Sequence, residues 1–124
     1  MTAVIVEDDF LSLVETEYSA EAAGLSILAT ASNPGDAVAA IDLHRPDIVL
    51  MDINLGKGRD GIDVAIEVNR RFGTRCLFTT AYSDAVLKRR AQASNPLGWV
   101  NKPFTSQILL AAIIAARDQL KPNN

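Results

Sequence analysis

Asp47-Ile48-Val49-Leu50-Met51-Asp52 is the stretch on which the reading of this chain turns. It is a short run of aliphatic and β-branched residues with a carboxylate at its carboxyl end. Pro46 precedes it, and Gly56, Gly58 and Gly61 follow closely. An apolar run of this length, bounded by Pro and Gly, reads as a buried strand. In an open parallel sheet, ligands bind just beyond the carboxyl ends of the strands, so Asp52 stands where chemistry is expected. An Asp that merely turned the chain would look the same in isolation. The rest of the sequence decides between the two.

The same alternation repeats on both sides of this stretch. Residues 3–6 form a first apolar run, ended by Glu7, Asp8 and Asp9. Phe10, Val14 and Tyr18 then recur every four residues with Leu13 beside them, a helical stripe that Gly24 is placed to stop. Residues 25–31 read as a second strand. Asn33 and Pro34 suit the N-cap and first position of a second helix, whose inner face is Ala37, Val38 and Ile41. Beyond Asp52, Ile62, Ala65, Ile66 and Val68 mark a third helix, with Gly73 at its end. Residues 75–80 read as a fourth strand, Ser83 as the cap of a weaker fourth helix ending before Asn95-Pro96, and residues 98–101 as a short fifth strand. Thr105 caps a fifth helix that runs to about Leu120, leaving Lys121-Pro122-Asn123-Asn124 as a tail. Strands alternating with helices predict an α/β fold with a parallel sheet covered on both faces. Right-handed crossovers and one reversal of direction make it a doubly wound, flavodoxin-like sheet of five strands in the order 2-1-3-4-5, with five helices.

Composition narrows the function classes. The 124 residues suit one domain, and 48% hydrophobic with 22% charged residues suits a globular chain. A net charge of -3 gives no electrostatic argument for nucleic acid or for an anionic membrane. The single cysteine, Cys76, lies in an apolar run, cannot form an internal disulfide and reads as a buried thiol. No Cys/His cluster suggests zinc. Met1-Thr2-Ala3-Val4-Ile5-Val6-Glu7 lacks the basic start of a secretory signal, and no apolar run reaches membrane-spanning length. The expectation is a cytoplasmic chain in which residues 1–124 are one domain with no second, controlled domain.

Four features converge on one rim of the expected sheet: Glu7-Asp8-Asp9 after strand one, Asp52 after strand three, Thr79-Thr80 at the end of strand four, and Lys102-Pro103 after strand five. Crowded carboxylates repel, and a hard divalent cation relieves the repulsion. Mg²⁺ takes oxygen ligands and recruits phosphoryl groups by bridging their oxygens. An Asp carboxylate can act as a nucleophile and form an acyl phosphate. Lys102 would supply a cation and Thr80 a hydroxyl for the phosphoryl oxygens. Each residue alone is an ordinary surface or helix-start residue. Their coincidence on one rim is what carries weight.

Val4-Ile5-Val6-Glu7-Asp8, Val49-Leu50-Met51-Asp52, Thr80-Ala81 and Lys102-Pro103-Phe104 resemble the signature blocks of bacterial response-regulator receiver domains, of the single-domain, chemotaxis-regulator-like kind. The spacings also match, 44 residues from Asp8 to Asp52 and 22 from Thr80 to Lys102. The resemblance implies that Asp52 accepts a phosphoryl group from the phosphohistidine of a sensor histidine kinase or a histidine phosphotransfer protein. It implies Mg²⁺ held by the Asp8 and Asp52 side chains and the Asn54 backbone carbonyl, with Glu7 acting through water. It makes Thr80 and Trp99 the switch pair, puts Lys102 on the phosphoryl group, implies a cis Lys102–Pro103 bond, and gives Asn54 and Tyr82 the tuning of hydrolysis. The chain departs from the family pattern in three places. Gly56 replaces a common Pro in a loop one residue longer than usual, Trp99 replaces the more usual Tyr or Phe, and the acidic pair is Glu-Asp. His44, beside Arg45-Pro46, has no acid–base partner in sequence and reads as a surface residue rather than a phosphoryl donor.

The reading that follows is a single-domain response regulator of a two-component system or phosphorelay. It catalyses its own phosphorylation and dephosphorylation rather than turning over a substrate. The alternative is a protein-interaction module that keeps the fold without phosphorylation. A phosphatase would want a second Asp just after the nucleophile, where Asn54 stands. On a helical wheel of the fifth helix, Leu109, Leu110, Ile113 and Ile114 make a core-facing arc, while Ile108, Ala111 and Ala115 lie behind it. This second patch, with helix four and strand five, is the expected output surface for an unidentified downstream protein or a second copy in a homodimer.

Overall fold

The computed structural model describes residues 1–56, 58–81 and 85–122. The elements are β1 (Thr2–Val6), α1 (Phe10–Ala22), β2 (Ser26–Ala31), α2 (Pro34–His44), β3 (Ile48–Asp52), α3 (Gly61–Phe72), β4 (Cys76–Thr80), α4 (Ala85–Ala91) with a 3-10 turn (Gln92–Ser94), β5 (Gly98–Asn101) and α5 (Ser106–Gln119). The five strands are parallel and lie in the order β2-β1-β3-β4-β5. The expected α/β doubly wound architecture is therefore the one observed.

Local chemistry sets the helix starts. The Asp9, Asn33 and Thr105 side chains accept the N–H groups of Ser12, Asp36 and Ile108, satisfying donors that the first turn leaves unpaired. Asp60 and Asp63 form a reciprocal capping box at the start of α3. Gly73, at φ 74, ends that helix in the left-handed conformation. Ser83, expected to cap helix four, lies outside the described residues.

Two apolar layers sandwich the sheet, because successive side chains of a strand point to opposite faces. Val4, Val6, Val49, Met51 and Phe78 pack with Ile41, Ile62 and Val68 from α2 and α3. Ala3, Ile5, Ile48, Leu50 and Leu77 pack on the other side with Ala20, Leu109 and Ile113 from α1 and α5. β3 and β4 are buried along their whole length, as suits central parallel strands. α5 divides as its wheel predicts: Leu109 and Ile113 are buried, Leu110 and Ile114 half-buried, and Ile108, Ala111 and Ala115 exposed.

α1 differs in one respect. The Phe10–Val14–Tyr18 stripe is helical, but it faces outward: Phe10 is 78% exposed and Tyr18 73%. The face turned to the protein carries Thr16, Ser19 and Ala20, with Leu13 half-buried. Small residues there let α1 lie close to α5 and the sheet, so packing selects the arc of small side chains and leaves the arc of large ones to solvent.

Candidate functional site

The ends of three strands and the loop after a fourth deliver the site. Glu7 leaves β1 buried, with its N–H on the Ala31 carbonyl at 2.9 Å. Asp52 is the last residue of β3 and is 3% exposed. Asp8 projects beside them, exposed. One carboxylate oxygen from each of Glu7, Asp8 and Asp52 lies within 4.8 Å of the others. The Lys102 ammonium is 2.8 Å from Glu7 Oε1 and 3.5 Å from Asp52 Oδ1. Its backbone N–H is fixed to the Thr80 carbonyl at 2.8 Å, and the Lys102–Pro103 peptide is cis. Thr80, fully buried at the end of β4, pairs in register with Asn101.

The loop after Asp52 is held against it. The Ile53 N–H reaches the Thr79 carbonyl at 3.1 Å, and the Asn54 N–H reaches Asp52 Oδ1 at 3.2 Å. Gly61 opens α3 with its N–H on the Ile53 carbonyl at 2.8 Å. A Cβ on Gly61 would lie 2.1 Å from the Asp52 carbonyl oxygen. Only a residue without a side chain lets α3 start this close to the carboxylate-bearing strand. The sequence marked Gly61 as loop punctuation, and its steric role became visible only in three dimensions.

Electrostatics at the site are those of two buried acids and one amine. Burial, then the hydrogen bond and the charge of Glu7, push the Asp52 carboxyl up to about 8, against the pull of Lys102 and the Asn54 N–H. Burial also raises Glu7, but its bonds to Asp52 and Lys102 outweigh that and leave it below the usual carboxylate range. Burial and mutual repulsion thus work against ionising both acids together, and they act most strongly on Asp52. Lys102 alone does not neutralise three carboxylates. The hard oxygen donors, their spacing and the unrelieved negative charge all fit a small divalent cation. The chemistry open to the cluster is cation-assisted attack by a carboxylate on an electrophile that carries anionic oxygens.

Trp99, in register with Phe78, stacks on that ring at a centroid distance of 4.8 Å with 24° between planes. The Lys88 ammonium of α4 lies 5.9 Å from the Trp99 ring centre. The indole thus bridges the sheet and α4, on the same strand as the approach to Lys102. Tyr82 lies outside the described residues. His44 ends α2, exposed and on a different element from the acids.

Two features escaped the sequence. One is the direct Lys102–Glu7 contact, which links residues 95 apart. The other is a groove of about 450 Å³ between α1 and the start of α5, lined by Val14, Glu15, Tyr18, Ser19, Phe104 and Ser106. It adjoins the cleft lined by Lys102, Pro103 and Ala81. Val14 and Tyr18 gave a signal for it, since α1 carries more large apolar side chains than one buried face needs.

Comparison with known proteins gives a consistent picture. Residues 3–114 match the model of the response regulator receiver domain. The chain is 32% identical over 110 residues to the transcriptional regulatory protein PdtaR of Mycobacterium tuberculosis, covering 89% of this chain and 53% of that protein. It is 29% identical over 114 residues to the phyllosphere-induced regulator PhyR of Methylorubrum extorquens, covering 91% of this chain and 42% of that one. The chain thus spans about half the length of these relatives or less. Among solved structures, the signal receiver domain of a modulated diguanylate cyclase from Desulfovibrio desulfuricans superposes with a TM-score of 0.83 at 29% identity, covering 96% of this chain and 94% of that one.

Proposed function

We propose, on the premise that this chain belongs to the response regulator receiver domain family, that it is the phosphoryl-accepting switch of a two-component system or phosphorelay, working in the cytoplasm. The observation that carries the reading is the meeting of the Glu7, Asp8 and Asp52 carboxylates with the Lys102 amine at one rim of the sheet. An Asp52 oxygen attacks the phosphorus of a phosphohistidine on a sensor histidine kinase or histidine phosphotransfer protein. The attacking oxygen is that of the ionised carboxylate; the new O–P bond replaces the P–N bond, and the imidazole leaves neutral, keeping the proton already on its other ring nitrogen. Asp8, Asp52 and the Asn54 carbonyl would hold Mg²⁺, with Glu7 acting through water. Bound there, the ion supplies charge neutralisation for the transferring oxygens.

The residues of the chain do the rest. Asp52 is presented at a strand end with its loop already hydrogen-bonded in place. Lys102, held on Glu7, has only a short way to turn to meet a phosphoryl oxygen, and the Thr80 hydroxyl offers a second donor. Filling of that position by Thr80 is coupled to Trp99, and through its contact with Lys88 to α4. The α4–β5–α5 face is then the output surface. The exposed Phe10, Leu11 and Val14 follow Asp8 directly in the chain, and they suit the docking of the phosphodonor. The alternative, an interaction module indifferent to phosphorylation, leaves the intact acid, lysine and threonine set without a use. Asn54 tunes the lifetime of the phosphoryl group in this reading, and so does Tyr82.

The test is labelling by a small phosphodonor such as acetyl phosphate. The native chain incorporates one phosphoryl group when Mg²⁺ is present, and Asp52→Asn incorporates none. Stoichiometric labelling of Asp52→Asn would move the acceptor elsewhere.

A further inference from the structure

We propose that Arg90 is a positioning residue for the acceptor site: from α4 it clasps the cap of α3 and so sets the loop that follows Asp52. The inference rests on the reading of Asp52 as the phosphoryl acceptor and adds a residue that acts on it from another helix.

The loop is residues 53–60, between the end of β3 and the start of α3. At its start the Asn54 N–H meets Asp52 Oδ1 at 3.2 Å. Gly56 and Gly58, at φ 87 and φ 92, stand in left-handed backbone, and glycine loses more freedom on ordering than any other residue. Lys57 lies outside the described residues. At the far end Gly61 gives its N–H to the Ile53 carbonyl at 2.8 Å and closes the loop on itself. Gly61 also packs against the Asp52 carbonyl more closely than a Cβ allows. A shift of the first turn of α3 is therefore passed directly to Ile53 and Asn54.

Two carboxylates crowd that turn. Asp60 accepts the Asp63 N–H and Asp63 accepts the Asp60 N–H, so the capping box sets two negative charges side by side. The Arg90 guanidinium answers both. Its Nη2 reaches both carboxylate oxygens of Asp60 and lies 3.5 Å from Asp63 Oδ1. Burial raises the Asp60 carboxyl, but the bonds from Arg90 and the Asp63 N–H outweigh it and hold it below the ordinary carboxylate range. α3 and α4 lie on the same side of the sheet, where α4 packs through buried Ala91 and half-buried Leu87. Arg90, in the last turn of α4, thus spans from one helix to the cap of the other. A planar fork suits two adjacent carboxylates, and a lysine would meet them only as a point charge.

The test compares Mg²⁺ affinity, followed by calorimetry on the full chain, in the native protein and in Arg90→Gln, Arg90→Lys and Ile41→Ala. The Asn54 carbonyl is a ligand in the underlying reading, so a displaced loop weakens the ion. Arg90→Gln is expected to weaken Mg²⁺ about two- to fivefold, the range that a partly exposed ion pair supports. Charge alone predicts the opposite sign, because losing one cation favours another nearby. Arg90→Lys recovers part of the loss. Ile41→Ala, less stable but folded by circular dichroism, keeps the native affinity, which separates positioning from stability. In the metal-free chain the Asn54 amide resonance moves in Arg90→Gln, and also in Asp60→Asn, where the new side chain still caps α3. Native Mg²⁺ affinity in Arg90→Gln, an equal loss in Ile41→Ala, no recovery in Arg90→Lys, or an unmoved Asn54 resonance would each overturn the proposal. If the native chain binds no Mg²⁺, the acceptor reading falls, and the Asn54 resonance by itself decides whether the clasp stands.

Discussion

Burial and mutual repulsion raise the cost of placing charge on both Asp52 and Glu7, and one lysine does not offset it. The Asp52 carboxyl, near 8 in the fold, has an ordinary carboxylate value when unfolded. Its contribution to stability is therefore fully present below the unfolded value and lost as pH rises through about 8. The depressed Glu7 works in the opposite sense, but only as the pH falls through the acid range. Without divalent cation, the urea midpoint is expected to fall between pH 5 and pH 8, and Asp52→Asn is expected to flatten that dependence. Mg²⁺ should restore the midpoint of the native chain at neutral pH, because a ligand bound only by the fold stabilises it. At Gly61 the constraint is steric. Gly61→Ala forces a methyl against the Asp52 carbonyl, where backbone must shift. A loss of about 1–3 kcal/mol, the usual range for overpacking, is expected in denaturant unfolding.

At the scale of elements, α1 separates the needs of folding from those of recognition. Phe10, Leu11, Val14 and Tyr18 are exposed, so replacing Phe10 and Tyr18 by Ser should each change stability by no more than about 0.5 kcal/mol. Ile41→Ala, in a fully buried position of α2, should cost about 2–5 kcal/mol. The α1 variants are informative in a second assay. If α1 docks the phosphodonor, Phe10→Ser and Tyr18→Ser slow transfer from a phosphorylated protein and leave labelling by acetyl phosphate unchanged. Equal slowing with both donors would place the effect in the acceptor site instead. α4 is anchored differently, by Arg90 on the capping box of α3. The pair is partly exposed, so its loss in Arg90→Ala should cost about 0.2–1 kcal/mol.

For the whole molecule, the question is how charge at one rim reaches a face on the edge of the sheet. Thr80 is buried between the cleft and the core, and Trp99 lies on the neighbouring strand, stacked on Phe78 and beneath Lys88. A ligand at the cleft shifts this packing only to the extent that it binds one arrangement better than the other. Mg²⁺ with beryllofluoride is expected to change Trp99 emission in the native chain, and Thr80→Ala is expected to bind the mimic without that change. An emission spectrum indifferent to the mimic would remove Trp99 from the switch. Among the described residues no helix is long and apolar enough to cross a membrane. Cys76, buried with its thiol pushed up to about 12, is expected to resist alkylation until the chain unfolds.

The sequence by itself determined the order of elements, the sheet topology and the identity of the residues at the acidic rim. These are written in local signals: apolar runs of strand length, cap residues such as Asn33 and Thr105, and the position of each polar residue just after its strand. Parallel strands with right-handed crossovers bring such strand ends together whatever the details of packing. Tertiary structure alone decided which arc of α1 is buried, because Phe10, Val14 and Tyr18 and the arc of Thr16, Ser19 and Ala20 are both helical stripes, and only the fit against α5 chooses between them. It alone decided that Lys102 rests on Glu7, that Gly61 must lack a side chain, and that Arg90 turns to α3 while Lys88 and Arg89 face outward. Each of these depends on distances between residues far apart in the chain. A pattern of residue types along one strand or helix carries no information about such distances.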